Sequence, residues 1–327
     1  MKCKLTASIH TWLLKEPFVI SREALTSVEV VVVRLEDGEH AGRGEARGVS
    51  YHGETSRRMI EQIEAVRTRI EAGARRDQLL QLLPPGGARN AIDAALWDLE
   101  AKQTGVPVWQ RTNPQSPRTI VSAVTIGIRS LEAYEARAGA LSGWPWIKIK
   151  VDDKSPLAAI EAVRRGAPRA RLIVDANQAW TIARLQELAP ALAALKVDLL
   201  EQPVRAEEDE PLRDIDLPIP VCADEPADTA SDLPRLADRY DFVNIKLDKA
   251  GGLTAALEFA HAARAAGLRL MVGCMTGSSL AMAPAMVLAQ LCEVVDLDGP
   301  LLLAGDWANG LTYDHGAMSF PAPQLWG

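Results

Sequence analysis

The chain has 327 residues, 48% of them hydrophobic and 24% charged, with 36 basic against 43 acidic side chains and a formal net charge of -7. That balance suits a folded protein of one large or two moderate domains, and it leaves no Lys/Arg block with which to hold DNA, RNA or an anionic membrane. Cys3, Cys222, Cys274 and Cys292 stand far apart without a C-x-x-C pair, so free thiols in a reducing, cytoplasmic setting are expected in place of a disulfide framework or a thiolate zinc site.

The first twenty residues alternate charged and apolar side chains and lack the apolar segment and small-residue cleavage site of an export signal. Strands are predicted over residues 3–12 and 28–35, and Asp37-Gly38 turns the second into a third over 40–45. Helical spacing follows over 55–72. Past the breaker Pro84-Pro85-Gly86-Gly87 it resumes over 88–104, where Ile92, Leu96 and Leu99 share a face and Gly105 and Pro107 end the run. Residues 111–118 are polar and proline-bearing, a candidate boundary.

Beyond it, short apolar runs alternate with helical stretches. The predicted strands are 120–126, 146–151, 172–175, 198–201, 220–224, 242–246, 269–273 and 294–298. Such alternation gives a parallel sheet, and eight units of about 25 residues suit a (β/α)-barrel better than an open doubly wound sheet. The uncharged run 270–292 is long enough to cross a bilayer, yet its Gly273, Thr276, Gly277, Ser278, Ser279 and Pro284 read as strand, loop and buried helix. Gly251-Gly252 reads as a tight turn before a helix, not as a phosphate cradle. The expected architecture is therefore α/β: a modified TIM barrel over 116–300 under an N-terminal α+β capping domain over 1–115, which the tail 301–327 completes.

In barrels of this type chemistry gathers where the strands end. The second strand ends in Lys148 and Lys150, the third in Asp175, the fourth in Glu201, the fifth in Asp224 and the sixth in Lys246. Each step is one βα unit, so neighbouring strands bring lysines and three carboxylates to one rim. Three adjacent carboxylates repel one another, and a hard cation relieves the repulsion. All-oxygen ligation by Asp175, Glu201 and Asp224 favours Mg²⁺ and leaves Mn²⁺ and Ca²⁺ open. Lys148 and Lys150, two apart on a strand, point the same way, and each ammonium should depress the pKa of the other to give a usable base. Amines on opposite sides of the mouth suit removal of a proton α to a carboxylate from one face and its return from the other, which is racemisation or epimerisation. The competing reading makes the lysines salt-bridge partners that neutralise the carboxylates.

At these residues the chain resembles the enolase superfamily in its muconate-lactonising-enzyme branch. Lys148-Ile149-Lys150, Asp175-Ala176-Asn177, Glu201-Gln202-Pro203, Asp224-Glu225 and Asn244-Ile245-Lys246 with Lys249 look like that family's lysine and metal-ligand strands. Residues 91–99 are similar to its cap-closing helix, and Gly42-Arg43-Gly44-Glu45 to its hairpin. Within the branch the pattern looks most like dipeptide epimerases of the L-alanyl-D/L-glutamate type. The resemblance implies Lys150 and Lys246 as the two bases with Lys148 beside them, Asp296 and Asp298 as a clamp for the α-ammonium of a dipeptide, and Cys274, Met275 and Thr276 as substrate-lining residues.

One departure bears on the substrate. Family members that take a glutamyl side chain often carry a basic residue shortly after a Pro-Phe-x-Ile stretch, whereas Pro17-Phe18-Val19-Ile20 here leads to Leu25, with Arg22 nearby. Leu25 in the pocket would favour an apolar second residue, because a carboxylate buried without a partner is costly. His52, in the loop over 49–53, is a further candidate contact, and Pro226 stands where a serine is expected. The alternative on the same frame is a lyase or cycloisomerase such as o-succinylbenzoate synthase or muconate cycloisomerase. A non-catalytic scaffold that binds metal or an acidic peptide is a third reading. The expected partner is a small dipeptide, with no nucleic acid or membrane, and a homo-oligomer is left open.

Overall fold

The computed structural model describes residues 3–21, 23–112 and 116–327. Lys4–Val19, Ala24–Glu36 and Ala41–Ala46 form a three-stranded antiparallel sheet in that order. The first hairpin runs longer than its alternating pattern announces. Its register shifts between Leu13 and Phe18, where Pro17 supplies no backbone donor, and the irregularity lets pairing resume with Phe18 opposite Leu25.

Helix Ser56–Glu71 starts on Thr55, whose hydroxyl accepts from the Arg58 amide at 3.2 Å. It buries Met59, Ile63, Val66 and Ile70, the stripe its spacing predicts. A short helix, Arg76–Leu82, was not foreseen. Helix Gly87–Thr104 lies flush on the third strand because that strand carries Gly42 and Gly44, where a Cβ would stand 2.2 Å from the carbonyl oxygens of Ala95 and Ala91. With the glycines against the helix, Arg43 and Glu45 fall on the opposite face.

The second sheet has eight parallel strands in sequential order: Val124–Ile126, Trp146–Lys150, Arg171–Asp175, Val197–Glu201, Val221–Ala223, Phe242–Ile245, Arg269–Val272 and Val294–Val295. It curls until the Ala123 amide donates to the Val295 carbonyl at 2.8 Å, joining first strand to last. The predicted first strand is split. Ile120–Val121 pairs with the hairpin Tyr313–Asp314 and Ala317–Met318 and not with the barrel. The uncharged run resolves into strand Arg269–Val272 and the almost wholly buried helix Ser279–Ala289; among the described residues no helix is long and apolar enough to cross a membrane. The boundary expected at 115/116 abuts residues 113–115, which lie outside the described residues.

Buried polar contacts seal the cap to the barrel. Arg89 donates to the carbonyls of Gly251 (3.0 Å) and Ala250 (2.6 Å). Asp93 accepts from the Thr254 amide (3.0 Å) and hydroxyl (2.6 Å), and Asp248 accepts from the Arg47 amide and the Asn90 side chain, both at 3.0 Å. Glu45, wholly buried, accepts from the Ser278 amide (2.8 Å) and hydroxyl (2.6 Å) and from the Trp307 indole (2.8 Å). Burial nevertheless raises its pKa, and those donors only oppose the rise.

Gly251-Gly252 is the turn expected, with φ of 77° and 113°, and its role is close approach to the cap. A Cβ on Gly252 would lie 2.6 Å from the Asp93 Cβ. Gly252→Ala is therefore expected to cost about 1–3 kcal/mol, from strained backbone plus displacement of the Asp93–Thr254 contact. Chemical denaturation monitored by circular dichroism would read this as a lower midpoint, and an unchanged midpoint would contradict it.

Candidate active site

The barrel interior is built in layers by the two-residue repeat of its strands. Ala123, Ile173, Leu199, Cys222, Phe242, Met271 and Val294, with Trp146, form an apolar floor. One inward step further, the same strands present Thr125, Lys148, Asp175, Glu201, Asp224, Asn244, Gly273 and Asp296, and all but the glycine are polar. Pairing keeps the charges level: Lys150 lies opposite Asp175, and Asp175 opposite Glu201. After Asp175 and Glu201 the chain bends through left-handed residues, Asn177 and Gln178 (φ 44° and 67°) and Gln202 (φ 35°). These bends bring the Asn177 amide to Asp175 (2.9 Å) and let the Gln202 side chain accept from the Asp224 amide (2.8 Å). Gly273 has its own reason to be small, since a Cβ there would stand 2.7 Å from Asn244 Oδ1.

Lysines knit the carboxylates together. Lys148 Nζ lies 2.8 Å from Asp296 Oδ2, 2.8 Å from Glu201 Oε2 and 3.1 Å from Asp175 Oδ2. Lys150 donates to Asp175 at 2.6 Å. Lys246 and Lys249 donate to the two oxygens of Asp224 at 2.8 and 2.9 Å, and Lys249 also reaches the Asp224 carbonyl. Asp298 accepts from the Thr125 amide at 2.6 Å, and the Thr125 hydroxyl sits 3.4 Å from Asp296.

The charge states follow from these distances. Burial favours neutral carboxyls throughout, but Lys150 and Lys148 hold Asp175 below the ordinary carboxylate range, and Lys246 and Lys249 do the same for Asp224. At Glu201 burial and the adjacent Asp175 prevail and push the pKa up to about 7. Asp298 rises to about 7 through burial and its neighbour Asp296. The depression expected for Lys148 is not what the site produces. Burial pulls Lys148 and Lys246 down, yet the acids around them outweigh it, Asp296 and Glu201 for the first and Asp224 for the second, so both lie above an ordinary lysine. Opposite charges at 2.8 Å dominate like charges further away.

The acids fit a hard cation in donor type, and two of them, Asp175 and Glu201, already share one ammonium. Glu201 Oε2 makes no hydrogen bond despite that ammonium beside it, and the buried Asn177 Oδ1 and Asn244 Oδ1 also lack hydrogen bonds. Such orphaned acceptors suit a cation. The three acids do not, as they stand, converge: among the described residues no group of three His, Cys, Asp or Glu side chains forms a ready cage. Asp224 is turned to Lys246 and Lys249 instead.

Above this layer a cavity of about 310 Å³ is lined by Lys148, Lys150 and Lys246, by Asp224, Asp296 and Asp298, and by Cys274, Met275 and Thr276. The cap contributes Phe18, Leu25, Arg47 and Tyr51. Leu25 is thus among the residues that line the cavity. His52 does not line it; its Nε2 lies 3.0 Å from Asp228. Arg22 lies outside the described residues. Pro226 accepts a hydrogen bond from Arg235 at 3.1 Å through its carbonyl. Thr125 and Arg47 line the cavity without having been singled out from the sequence, as do Glu23, Gly48 and Leu302. Thr125 continues the two-residue step that begins at Ala123, and Arg47 continues the one that runs through Arg43 and Glu45.

The chain is similar to known proteins over nearly its whole length. Residues 3–111 match the model of the mandelate racemase / muconate lactonizing enzyme N-terminal domain, and residues 132–322 that of the enolase C-terminal domain-like family. An N-acetyl-D-glutamate racemase of Pseudoalteromonas sp is 42% identical over 91% of this chain and 95% of its own. The L-Ala-D/L-Glu epimerase of Escherichia coli (strain K12) is 40% identical over 94% of this chain and 97% of its own. Among solved structures, an enolase family member from Agrobacterium tumefaciens with homology to dipeptide epimerases, bound to sodium and L-Ala-L-Glu, superposes with a TM-score of 0.97 at 41% identity, covering 99% of this chain and all of that one. A dipeptide epimerase from Enterococcus faecalis V583, complexed with Mg and L-Leu-L-Tyr, gives a TM-score of 0.92 at 26% identity, covering 100% of this chain and 99% of that one.

Proposed function

Because the chain belongs to the mandelate racemase / muconate lactonizing enzyme family of the enolase superfamily, we propose that it is a dipeptide epimerase that inverts the α-carbon of the C-terminal residue by removing a proton from one face and adding one to the other. It is an isomerase, as its relatives are. The observation that carries the reading is one cavity lined by Lys150 from the second strand and Lys246 from the sixth, diametrically opposed in a ring of eight, with Asp296 and Asp298 beside them.

Asp175, Glu201 and Asp224 would hold Mg²⁺, or Mn²⁺ with the same oxygen preference. When bound, the ion supplies positive charge against the substrate carboxylate as the neighbouring carbon gives up its proton. Lys150 and Lys246 act on the two faces of that carbon, one amine accepting the proton and the opposite ammonium delivering one. Lys148, fixed by three acids, orients the carboxylate. Asp296 and Asp298 receive the dipeptide's ammonium, while Cys274, Met275 and Thr276 line the bound backbone. For this account the cap is taken as residues 1–115 with 301–327 and the barrel as 116–300. The hydrogen bonds from Arg43 to the carbonyls of Gln324 (2.8 Å) and Leu325 (2.7 Å) support placing the tail with the cap. Four free cysteines support a cytoplasmic setting.

The racemase relative favours one rival, an N-acylated amino acid without an ammonium. Proton NMR in deuterium oxide, with Mg²⁺ and a panel of L,L-dipeptides and N-acetyl amino acids, separates the two. Dipeptide α-protons should exchange, and a panel in which only the N-acetyl compounds do so would transfer the assignment to the rival. Asp298→Asn sharpens the contrast because its amide oxygen still accepts from Thr125. Losing the charge should lower dipeptide kcat/KM by roughly 30-fold or more, the effect of truncating a buried charge pair. Exchange of any N-acetyl substrate should change far less.

A further inference from the structure

We propose that Arg47 reads the side chain of the reacting residue, binding an acidic group there, so that the preferred dipeptides end in a glutamyl-type residue. The inference rests on the epimerase reading and adds the residue that sets specificity.

Arg43 and Glu45 lie on the cap strand whose other face is closed by Gly42 and Gly44 against a helix, and Arg47 follows at the same two-residue interval just past the strand's end. The first two are committed. Arg43 holds two tail carbonyls, and Glu45 is surrounded by Ser278 and Trp307. Arg47 spends only its backbone amide, on Asp248. Arg47 lines the cavity, and it is the one cation among the described lining residues that has no carboxylate in contact: Lys148, Lys150 and Lys246 each touch an acid at 2.6 to 2.8 Å. Burial disfavours its charge, and Glu23 and Asp248 offset this from a distance without an ion pair.

A half-buried guanidinium with its five donors unengaged is matched by a planar anion. The lysines and the acids at the strand ends are occupied with one another, which leaves Arg47 on the cap side to meet the substituent of the α-carbon. Leu25 and Phe18 line the same cavity and supply apolar surface for the methylenes between that carbon and the anion. An apolar residue at position 25 and an acidic preference are then compatible, because the cation enters from the neighbouring strand.

The test is kcat/KM, by polarimetry, for L-Ala-L-Glu, the isosteric L-Ala-L-Gln and L-Ala-L-Met, with the native enzyme, Arg47→Gln and Arg47→Lys. Native enzyme should prefer the glutamyl substrate. Arg47→Gln should lose on the order of 30-fold on it, chiefly in KM, and less than about threefold on the other two, with partial recovery in Arg47→Lys. Equal losses on all three substrates would make Arg47 merely structural, and an intact glutamyl preference in Arg47→Gln would give the recognition to another group; either overturns the assignment while leaving the epimerase reading intact. Native enzyme that turns over none of the three, and exchanges no α-proton in deuterium oxide, would bring down both.

Discussion

Lys246→Ala is expected to abolish interconversion of the two epimers, lowering turnover by on the order of 10²–10⁴-fold, while still exchanging the α-proton of one epimer with solvent. Lys150→Ala should show the mirror behaviour, stopping interconversion but exchanging the other epimer. The asymmetry follows from the ring, in which the second and sixth strands stand opposite and each amine reaches one face of the carbon. A single lysine can remove a proton and return it to the same side; it cannot invert. NMR in deuterium oxide with each pure diastereomer would record this directly. Exchange of both diastereomers by a single-lysine variant would mean that one amine serves both faces, and the two-base account would fail. Because Lys246 neutralises Asp224, its removal also leaves an acid with Lys249 alone, so retained exchange of one epimer is also the control that the site has survived.

The second large effect concerns the ion. Glu201→Gln is expected to weaken Mg²⁺ binding by roughly 100-fold or more, since even residues behind a ligand typically matter 10- to 100-fold. Titration calorimetry with Mg²⁺ alone reads this without recourse to turnover. The amide keeps an oxygen to accept from Lys148 and from Asn244, which lie 3.0 Å from Glu201 Oε1, so the variant should retain its secondary structure. Chelation should silence the native enzyme, and Mg²⁺ should restore it. Unchanged Mg²⁺ affinity in Glu201→Gln would remove Glu201 from the proposed ligand set.

Much of the barrel and its rim was legible because inward positions recur every two residues, so an apolar residue followed two later by a charge marks strand, floor and rim at once. Ile173 and Asp175, Leu199 and Glu201, and Cys222 and Asp224 share that signature. Thr125 obeys the same rule and passed unnoticed because a neutral residue at a strand end raises no alarm. The first hairpin was underestimated because Pro17 interrupts its alternation, and only the observed register shift shows that pairing continues beyond it. Arg47 could not be assigned from sequence, since the vacancy around its guanidinium exists only once Arg43 and Glu45 have found partners far along the chain. The pKa of Lys148 departs from the expectation for a related reason. Spacing shows that Lys148 and Lys150 are neighbours, but only geometry shows that Asp296, nearly 150 residues away in sequence, lies 2.8 Å from the Lys148 ammonium.

Glu45 carries a consequence for how the protein holds together. Its carboxylate, rooted in a cap strand, is the acceptor for a barrel loop and for a tryptophan of the C-terminal stretch, and both lose that partner if Glu45 departs. Together with Asp93, Asp248 and Arg89 it makes the joint between lobes resemble the inside of a single globule more than a surface shared by two. Each lobe keeps its own apolar cluster, but the buried polar joint is lost if the two separate, so a single cooperative unfolding transition is the expected result.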